Sequence, residues 1–233
     1  LQAIHLNHYS NKASYNPDDV IAAVDKSFAS NADDAILAFP AVVNDDRNFY
    51  GPTRGNMPSY RQTRFVVGLM DGTEFGGVVD PRMSRMLSPA PDGVYRGLDI
   101  NVVGYGALTT AQRPNNIWGY AATPPAGSQT RYIFDDKSKF PAMTYAQLQF
   151  VKAEAAYRKG DMATARTAYL AGGRAHMDFV NARNMDAGGT PTQMTAAEKD
   201  AFLASPAIAP AQITLSHIMG QKYIAQWGWA HNE

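Results

Sequence analysis

The chain has 233 residues, with 21 basic against 21 acidic side chains, no cysteine and 45% hydrophobic residues. A neutral chain with only 18% charged residues, against roughly 25% in average proteins, builds no field for phosphate backbones or anionic lipid, which argues against nucleic-acid binding. The lack of cysteine excludes a disulfide framework, a thiolate metal site and a cysteine nucleophile.

A chain of this length holds one core burying roughly 70–75% of its unfolded surface, so residues 1–233 are expected to form a single domain. The longest apolar stretch, AILAFPAVV at 35–43, falls short of the roughly 20 residues a membrane span requires, and it contains Pro40. No basic-then-apolar leader opens the chain. LQAIHL at the start reads as the middle of a helix, and WGWAHNE (227–233) stops without a cap, so a piece of a longer protein is expected.

Residues 1 to about 40 read as helical. Asn16-Pro17-Asp18-Asp19 supplies a capping side chain, a proline for the first turn and acids for the positive end of the dipole. Val20, Ile21, Val24 and Phe28 follow at helical spacing. From 41 to 135 glycine, proline, asparagine and tyrosine punctuate the chain every few residues. Short runs such as FVVGLM (65–70) fit a strand or a short helix equally well. A loop-rich region of this length inside a compact domain points to loops that carry function.

From 136 to 233 helices return. Pro141 is expected to start one that runs to Lys159, with one stripe along Ala146, Phe150, Ala153 and Tyr157 and another along Leu148, Val151 and Ala155. Two apolar faces predict neighbours on both sides. Gly160 suits the left-handed position after a helix end, and Asp161 suits the cap of the next helix. Met162, Ala165, Tyr169, Gly172, Gly173 and His176 line that second helix, and a final helix is expected near Pro210, carrying Ile213, Gly220, Ile224 and Trp227. The fold class is therefore mainly α: tetratricopeptide-like helical hairpins form a scaffold, beside a long loop-rich region containing short strands or helices. The repeat match is partial, because Gln149 and Lys152 fall where tryptophan and leucine are usual.

These residues also carry a family resemblance. FPAMTYAQLQFVKAEAAYRKGD (140–161) resembles the helix opening the C-terminal half of SusD/RagB-type outer-membrane lipoproteins. ITLSHIMGQKYIAQWGWAHNE (213–233) is similar to a later family helix through Gln221-Lys222-Tyr223-Ile224-Ala225, and VVDPRMSRML (78–87) to the family's Asp-Pro-Arg segment. Gln147 departs from the usual glutamate, a change expected at an exposed position, and the family's lipid-bearing cysteine has no counterpart here. The resemblance implies a non-enzymatic cell-surface binder, lipid-anchored outside the outer membrane. Such a binder captures glycans or peptides and passes them to a SusC-like TonB-dependent transporter, while the helices act as scaffold.

Sugar recognition needs flat apolar platforms beside fixed hydrogen-bonding groups. Asn115-Asn116-Ile117-Trp118-Gly119-Tyr120, and the stretch from Asn48-Phe49-Tyr50 through Arg54 and Asn56 to Tyr60, have that mixture. The candidate ligand contacts are Trp118, Tyr120, Asn116, Tyr50, Arg54 and Tyr60, against the alternative that these aromatics plug a small core under the loops. Asp80-Pro81-Arg82 reads as a helix cap with a structural ion pair rather than an active acid.

No catalytic residue, metal or cofactor is assigned. The pairs Asp33-Asp34, Asp45-Asp46 and Asp135-Asp136 do not place carboxylates on opposite sides of a glycosidic bond. NDDRNFYG (44–51) lacks the glycine and glutamate of an EF-hand, which leaves only a looser calcium site open. Among His5, His8, His176, His217 and His231 no ligand spacing recurs, and His176 and His217 are expected in the core. There is no nucleophile elbow, P-loop or dinucleotide fingerprint. The competing reading is a helical-repeat adaptor that binds another protein and no small molecule.

Overall fold

The protein is described by a computed structural model covering residues 1–99, 104–125, 127–128 and 130–230; His231 lies outside the described residues. In chain order the elements are α1 (Gln2–Asn7), α2 (Pro17–Asp25), β1 (Ala35–Leu37), α3 (Arg64–Met70), α4 (Met83–Met86), β2 (Phe140–Met143), α5 (Tyr145–Lys159), α6 (Met162–Asn184), α7 (Ala196–Ala204) and α8 (Leu215–Gln226). The two short strands pair with each other. The fold is mainly α, and its contacts divide the chain into two compact units interleaved in sequence. One comprises Leu1–Ile36, Pro141–Phe179 and Lys199–Glu233, the other Leu37–Phe140 and Val180–Glu198.

The first unit is helical, and α5 lies at its centre. One face of α5 packs Phe150, Ala153 and Ala156 against Ala165, Ala168 and Tyr169 of α6 and Ile218 and Ala225 of α8. The other packs Leu148, Val151 and Ala155 against Ala3 and Ile4 of α1 and Val20 and Val24 of α2. Both stripes read from the sequence are thus buried, each against its own neighbours. Phe150 meets Tyr169 edge-on at 6.2 Å, and a Cβ on Gly172 would come within 3.1 Å of the Phe150 ring, so any larger residue there would press the ring back by a few tenths of an ångström. The Tyr169 hydroxyl donates to the Ile208 carbonyl at 2.6 Å.

The caps explain where the helices begin and end. Asn16 accepts from the Asp18 N–H at 3.1 Å, with Pro17 in the first turn. Gly160 closes α5 at φ 88°, and Asp161 accepts from the Thr164 N–H at 3.0 Å.

Five expectations need correction. The first stretch is not helical to residue 40, because Ala35–Leu37 is held extended by pairing with Phe140–Met143. Pro141 belongs to that second strand, and α5 begins only at Tyr145 because Thr144 and Gln147 form a reciprocal capping box; Gln147 is accordingly buried rather than exposed. The last helix starts at Leu215, where Thr214 accepts from the His217 N–H at 3.3 Å, well after Pro210. His217 itself is only partly buried and bonds Thr214 through Nδ1 at 2.7 Å, whereas His176 is a core residue.

Helix α7 was not anticipated. Its signal was Thr195-x-x-Glu198, in which Thr195 Oγ1 accepts from the Glu198 N–H and Glu198 Oε2 from the Thr195 N–H. Thr144→Ala is expected to lower stability by about 1 kcal/mol, seen as a lower urea midpoint at unchanged slope. An unmoved midpoint would show that water satisfies the start of α5 equally well.

In the second unit the run FVVGLM forms helix α3, capped by Thr63, whose hydroxyl accepts from the Val66 N–H. Most of the rest is turns, irregular chain and short 3-10 turns such as Pro52–Arg54 and Tyr105–Ala107. With few ladder hydrogen bonds available, buried amides satisfy the backbone. Asn48 donates to the carbonyls of Ile133 (3.1 Å) and Ser138 (2.7 Å). Gln62 donates to those of Ser88 and Arg96, both at 2.9 Å, and accepts from the Ser88 N–H at 3.2 Å. Asn184 accepts from the N–H of Tyr132, a buried residue held at φ 55°, and donates to the Arg85 carbonyl. Asp80 caps the short turn into α4 through the Arg82 N–H at 2.8 Å and pairs with the Arg82 guanidinium at 2.5 Å.

Candidate functional site

The two aromatic stretches separated in sequence converge in the second unit. Arg61 and Asn116 form an antiparallel bridge, and the Ile117 N–H donates to the Tyr60 carbonyl at 3.2 Å. Asn116 is the hub of the turn that follows. Its Oδ1 accepts from the N–H groups of Trp118 and Tyr120, both at 3.1 Å, and its Nδ2 donates to the Ala122 carbonyl at 2.9 Å. The Trp118 indole N–H reaches the Tyr50 carbonyl at 2.6 Å, tying the first stretch to the second.

This arrangement divides the six candidate contacts by exposure. Asn116 and Trp118 are both 0% exposed and present no face to an incoming molecule; they hold the loop from beneath. Tyr60, by contrast, is 60% exposed. Tyr120 is half-buried, as is Tyr50, which packs edge-on against Phe49 (5.8 Å) and Phe140 (5.4 Å). Burial, and then the neighbouring Tyr60, push the Tyr50 phenol above its ordinary range, so it stays protonated and able to donate. Arg54 spends one guanidinium nitrogen on the Asn44 carbonyl at 2.8 Å.

Further groups surround these that the sequence did not single out. Arg61 and Arg113 each place their guanidinium carbon 5.2 Å from the centroid of the Tyr105 ring. Arg131 donates to the Leu87 carbonyl at 2.5 Å, and a Cβ on Gly119 would lie 3.2 Å from its Nη2. Burial pulls the Arg131 pKa below the ordinary arginine value, and the neighbouring Tyr95 and Tyr120 offset part of that. Among the described residues Arg131 has no carboxylate at ion-pair distance. Nothing in local spacing announced Tyr95, Tyr105, Arg113 or Arg131, which reach this neighbourhood only through long-range packing.

The acidic pairs are occupied locally. Asp136 receives Arg47 at 3.1 Å and the Thr53 hydroxyl at 2.5 Å, and Asp135 receives the Thr130 hydroxyl at 3.0 Å and the Lys137 N–H at 3.1 Å. Asp33 closes the turn at Ser30, and Asp46 accepts from the Val43 N–H. No group of three or more histidine, aspartate or glutamate side chains converges on one point among the described residues. What the neighbourhood offers is partly exposed aromatic surface ringed by guanidinium, amide and hydroxyl donors, a chemistry of reversible hydrogen bonding and stacking.

The sequence matches the family described as SusD-like_2, starch-binding associating with outer membrane, over residues 3–230. No curated protein sequence matches the chain. Among solved structures, two SusD homologues from Bacteroides fragilis NCTC 9343 superpose on it. The first is 20% identical with a TM-score of 0.62, covering 96% of this chain and 49% of its own. The second is 18% identical with a TM-score of 0.69, covering 97% of this chain and 51% of its own. A chitin-binding protein superposes with a TM-score of 0.61 at 18% identity, covering 97% of this chain and 47% of its own. The chain thus spans about half the length of the structures it resembles. With the family matched from the third residue to residue 230 and the fold shared end to end, the chain belongs to the SusD-like family of starch-binding proteins associating with the outer membrane.

Proposed function

We propose that this chain forms part of a non-enzymatic protein that captures oligosaccharide on the outer face of the outer membrane and delivers it to a TonB-dependent transporter. The family supplies the class of work, and the exposed Tyr60, next in the chain to Arg61 whose guanidinium lies against the Tyr105 ring, is the observation that carries the reading. A pyranose face stacks on an exposed tyrosine ring, while Arg54, Arg61 and the tyrosine hydroxyls bond its hydroxyls. Asn116 and Trp118 take a supporting part, fixing the height and angle of this surface. Anchoring by lipid is part of this reading through the resemblance to outer-membrane lipoproteins; no helix among the described residues is long and apolar enough to cross a membrane. Leu37, Val42, Val43 and Phe49 of the same unit are exposed, apolar side chains available for docking against the transporter.

In titration calorimetry with starch- and chitin-derived oligosaccharides, at least one series is expected to bind the chain. Tyr60→Ala should weaken that binding by about tenfold or more, in line with about 1–2 kcal/mol for one stacked ring, while leaving unfolding unchanged. Equal affinity of the variant would remove Tyr60 from the contact surface. Recovery of a protein partner that binds irrespective of glycan, with no oligosaccharide binding at all, would favour the adaptor instead.

A further inference from the structure

The helical unit also contains a polar cavity of its own. A cavity of about 330 Å³ opens among α1, α5 and α8, lined in its polar part by Asn7, Ser10, Asn11, Glu154, Arg158 and Lys222. That volume lies at the small end of ligand pockets, which run from roughly 300 to 1,000 Å³, and suits a molecule of monosaccharide size.

Glu154 projects into it with its side chain only 5% exposed. It accepts from Asn7 Nδ2 at 2.9 Å and Arg158 Nε at 3.1 Å, and lies 3.5 Å from Lys222 Nζ. Asn7 is oriented by the Tyr15 hydroxyl, which donates to its Oδ1 at 2.9 Å. Burial first, and then the charge of Glu154, push the Tyr15 phenol up to about 12, so it keeps the proton it donates.

The cations are left with capacity to spare. The Lys222 side chain is only 4% exposed and carries three donors, yet its one hydrogen-bond partner among the described residues is Glu154, beyond the usual 2.7–3.2 Å range for N–H···O contacts. The outer edge of Arg158 reaches the Ser10 carbonyl and Asn11 Oδ1 only at 3.5 Å each. His8 borders the cavity as a further titratable group, and Ile4, Val151 and Met219 complete the wall. One carboxylate thus faces one ammonium and one guanidinium, leaving a surplus positive charge in a partly open cavity whose inner wall is buried. A buried charge favours a partner of opposite sign.

We propose that this cavity binds a small organic monoanion of monosaccharide size, a hexuronate-type carboxylate, held by Lys222 and Arg158, with Asn11 and Ser10 left for its hydroxyls. A single carboxylate neutralises the surplus, whereas a dianion would leave a net negative charge enclosed. The site shares no residue with the aromatic surface of the other unit and does not rest on the function proposed for it.

The test is calorimetric titration of the whole chain with sodium glucuronate, glucose and inorganic phosphate, repeated on Arg158→Gln, Asn11→Ala, Lys222→Met and Tyr60→Ala. Glucuronate should bind about tenfold or more tighter than glucose and phosphate, and weaken as salt rises from roughly 0.05 to 0.5 M. Arg158→Gln and Lys222→Met should each reduce its affinity about tenfold or more, Asn11→Ala should reduce it less, and Tyr60→Ala should leave it unchanged. Should Lys222→Met fail to fold, the partly exposed Arg158 and Asn11 carry the test alone. No heat with glucuronate, equal affinity for glucose, tighter binding of phosphate, or unaltered binding in Arg158→Gln would each overturn the proposal.

Discussion

Replacing Trp118 by alanine is expected to lower stability by about 3–5 kcal/mol, the range for truncating a large buried aromatic side chain. The indole is fully enclosed, so its loss leaves a cavity, and the Tyr50 carbonyl it bonds at 2.6 Å loses its donor. Against typical domain stabilities of about 5–15 kcal/mol, such a loss brings the second unit close to unfolding at ambient temperature. Trp118→Phe keeps most of the packing and should cost less, while the exposed Tyr60→Ala should stay within about 0.5 kcal/mol. Urea unfolding followed by circular dichroism separates these cases. A Trp118→Ala midpoint matching that of the parent chain would mean that the tryptophan is not the keystone described here. Loss of glycan binding in that variant reports on unfolding, whereas loss in Tyr60→Ala reports on contact, so the pair distinguishes scaffold from surface.

The second large effect is expected at Arg82. Its side chain is 0% exposed and that of Asp80 1%, with the ions 2.5 Å apart. Arg82→Met leaves the Asp80 carboxylate buried without its counter-ion and should cost about 3–5 kcal/mol. Converting both residues, as Asp80→Asn with Arg82→Met, removes the orphaned charge and retains an oxygen for the Arg82 backbone N–H. The double variant should therefore recover much of the loss, giving a large coupling energy in a double-mutant cycle. Simple additivity of the two single changes would show that the pair contributes through packing alone. Either outcome bears on the Asp-Pro-Arg segment, which in this chain forms a buried ion pair at the mouth of a short helix.

How much could be read in advance depended on the range of the interactions involved. The turn at Gly160-Asp161 and the start at Asn16-Pro17 were legible because a cap is decided within four residues. The two stripes of α5 were legible because burial on opposite faces imprints its periodicity directly. Pro141 misled for a related reason: proline opens helices and also tolerates an unpaired strand edge, and only pairing with Ala35–Leu37 selected the second. Gln147 looked exposed by position, yet its side-chain amide completes a cap and is buried.

The candidate site divides along the same line. Asparagine, tryptophan and tyrosine clustered at 115–120 marked a structured polar–aromatic turn, but composition carries no sign for inward or outward. Trp118 turned inward because the Tyr50 carbonyl, 68 positions earlier, offers its indole an acceptor. Tyr60 is held at the bridge only through its backbone carbonyl, and the residue is 60% exposed.

By itself, the amino-acid order determined the helical scaffold, the family and the caps at Asn16 and Gly160-Asp161, since each is written in short local stretches. Tertiary structure alone decided which rings meet solvent, which arginines gather around Tyr105 and Tyr120, and that Glu154, Arg158 and Lys222 line one cavity with one positive charge to spare. Those outcomes turn on contacts between segments scores of residues apart, where burial and charge balance depend on every element that packs against the site.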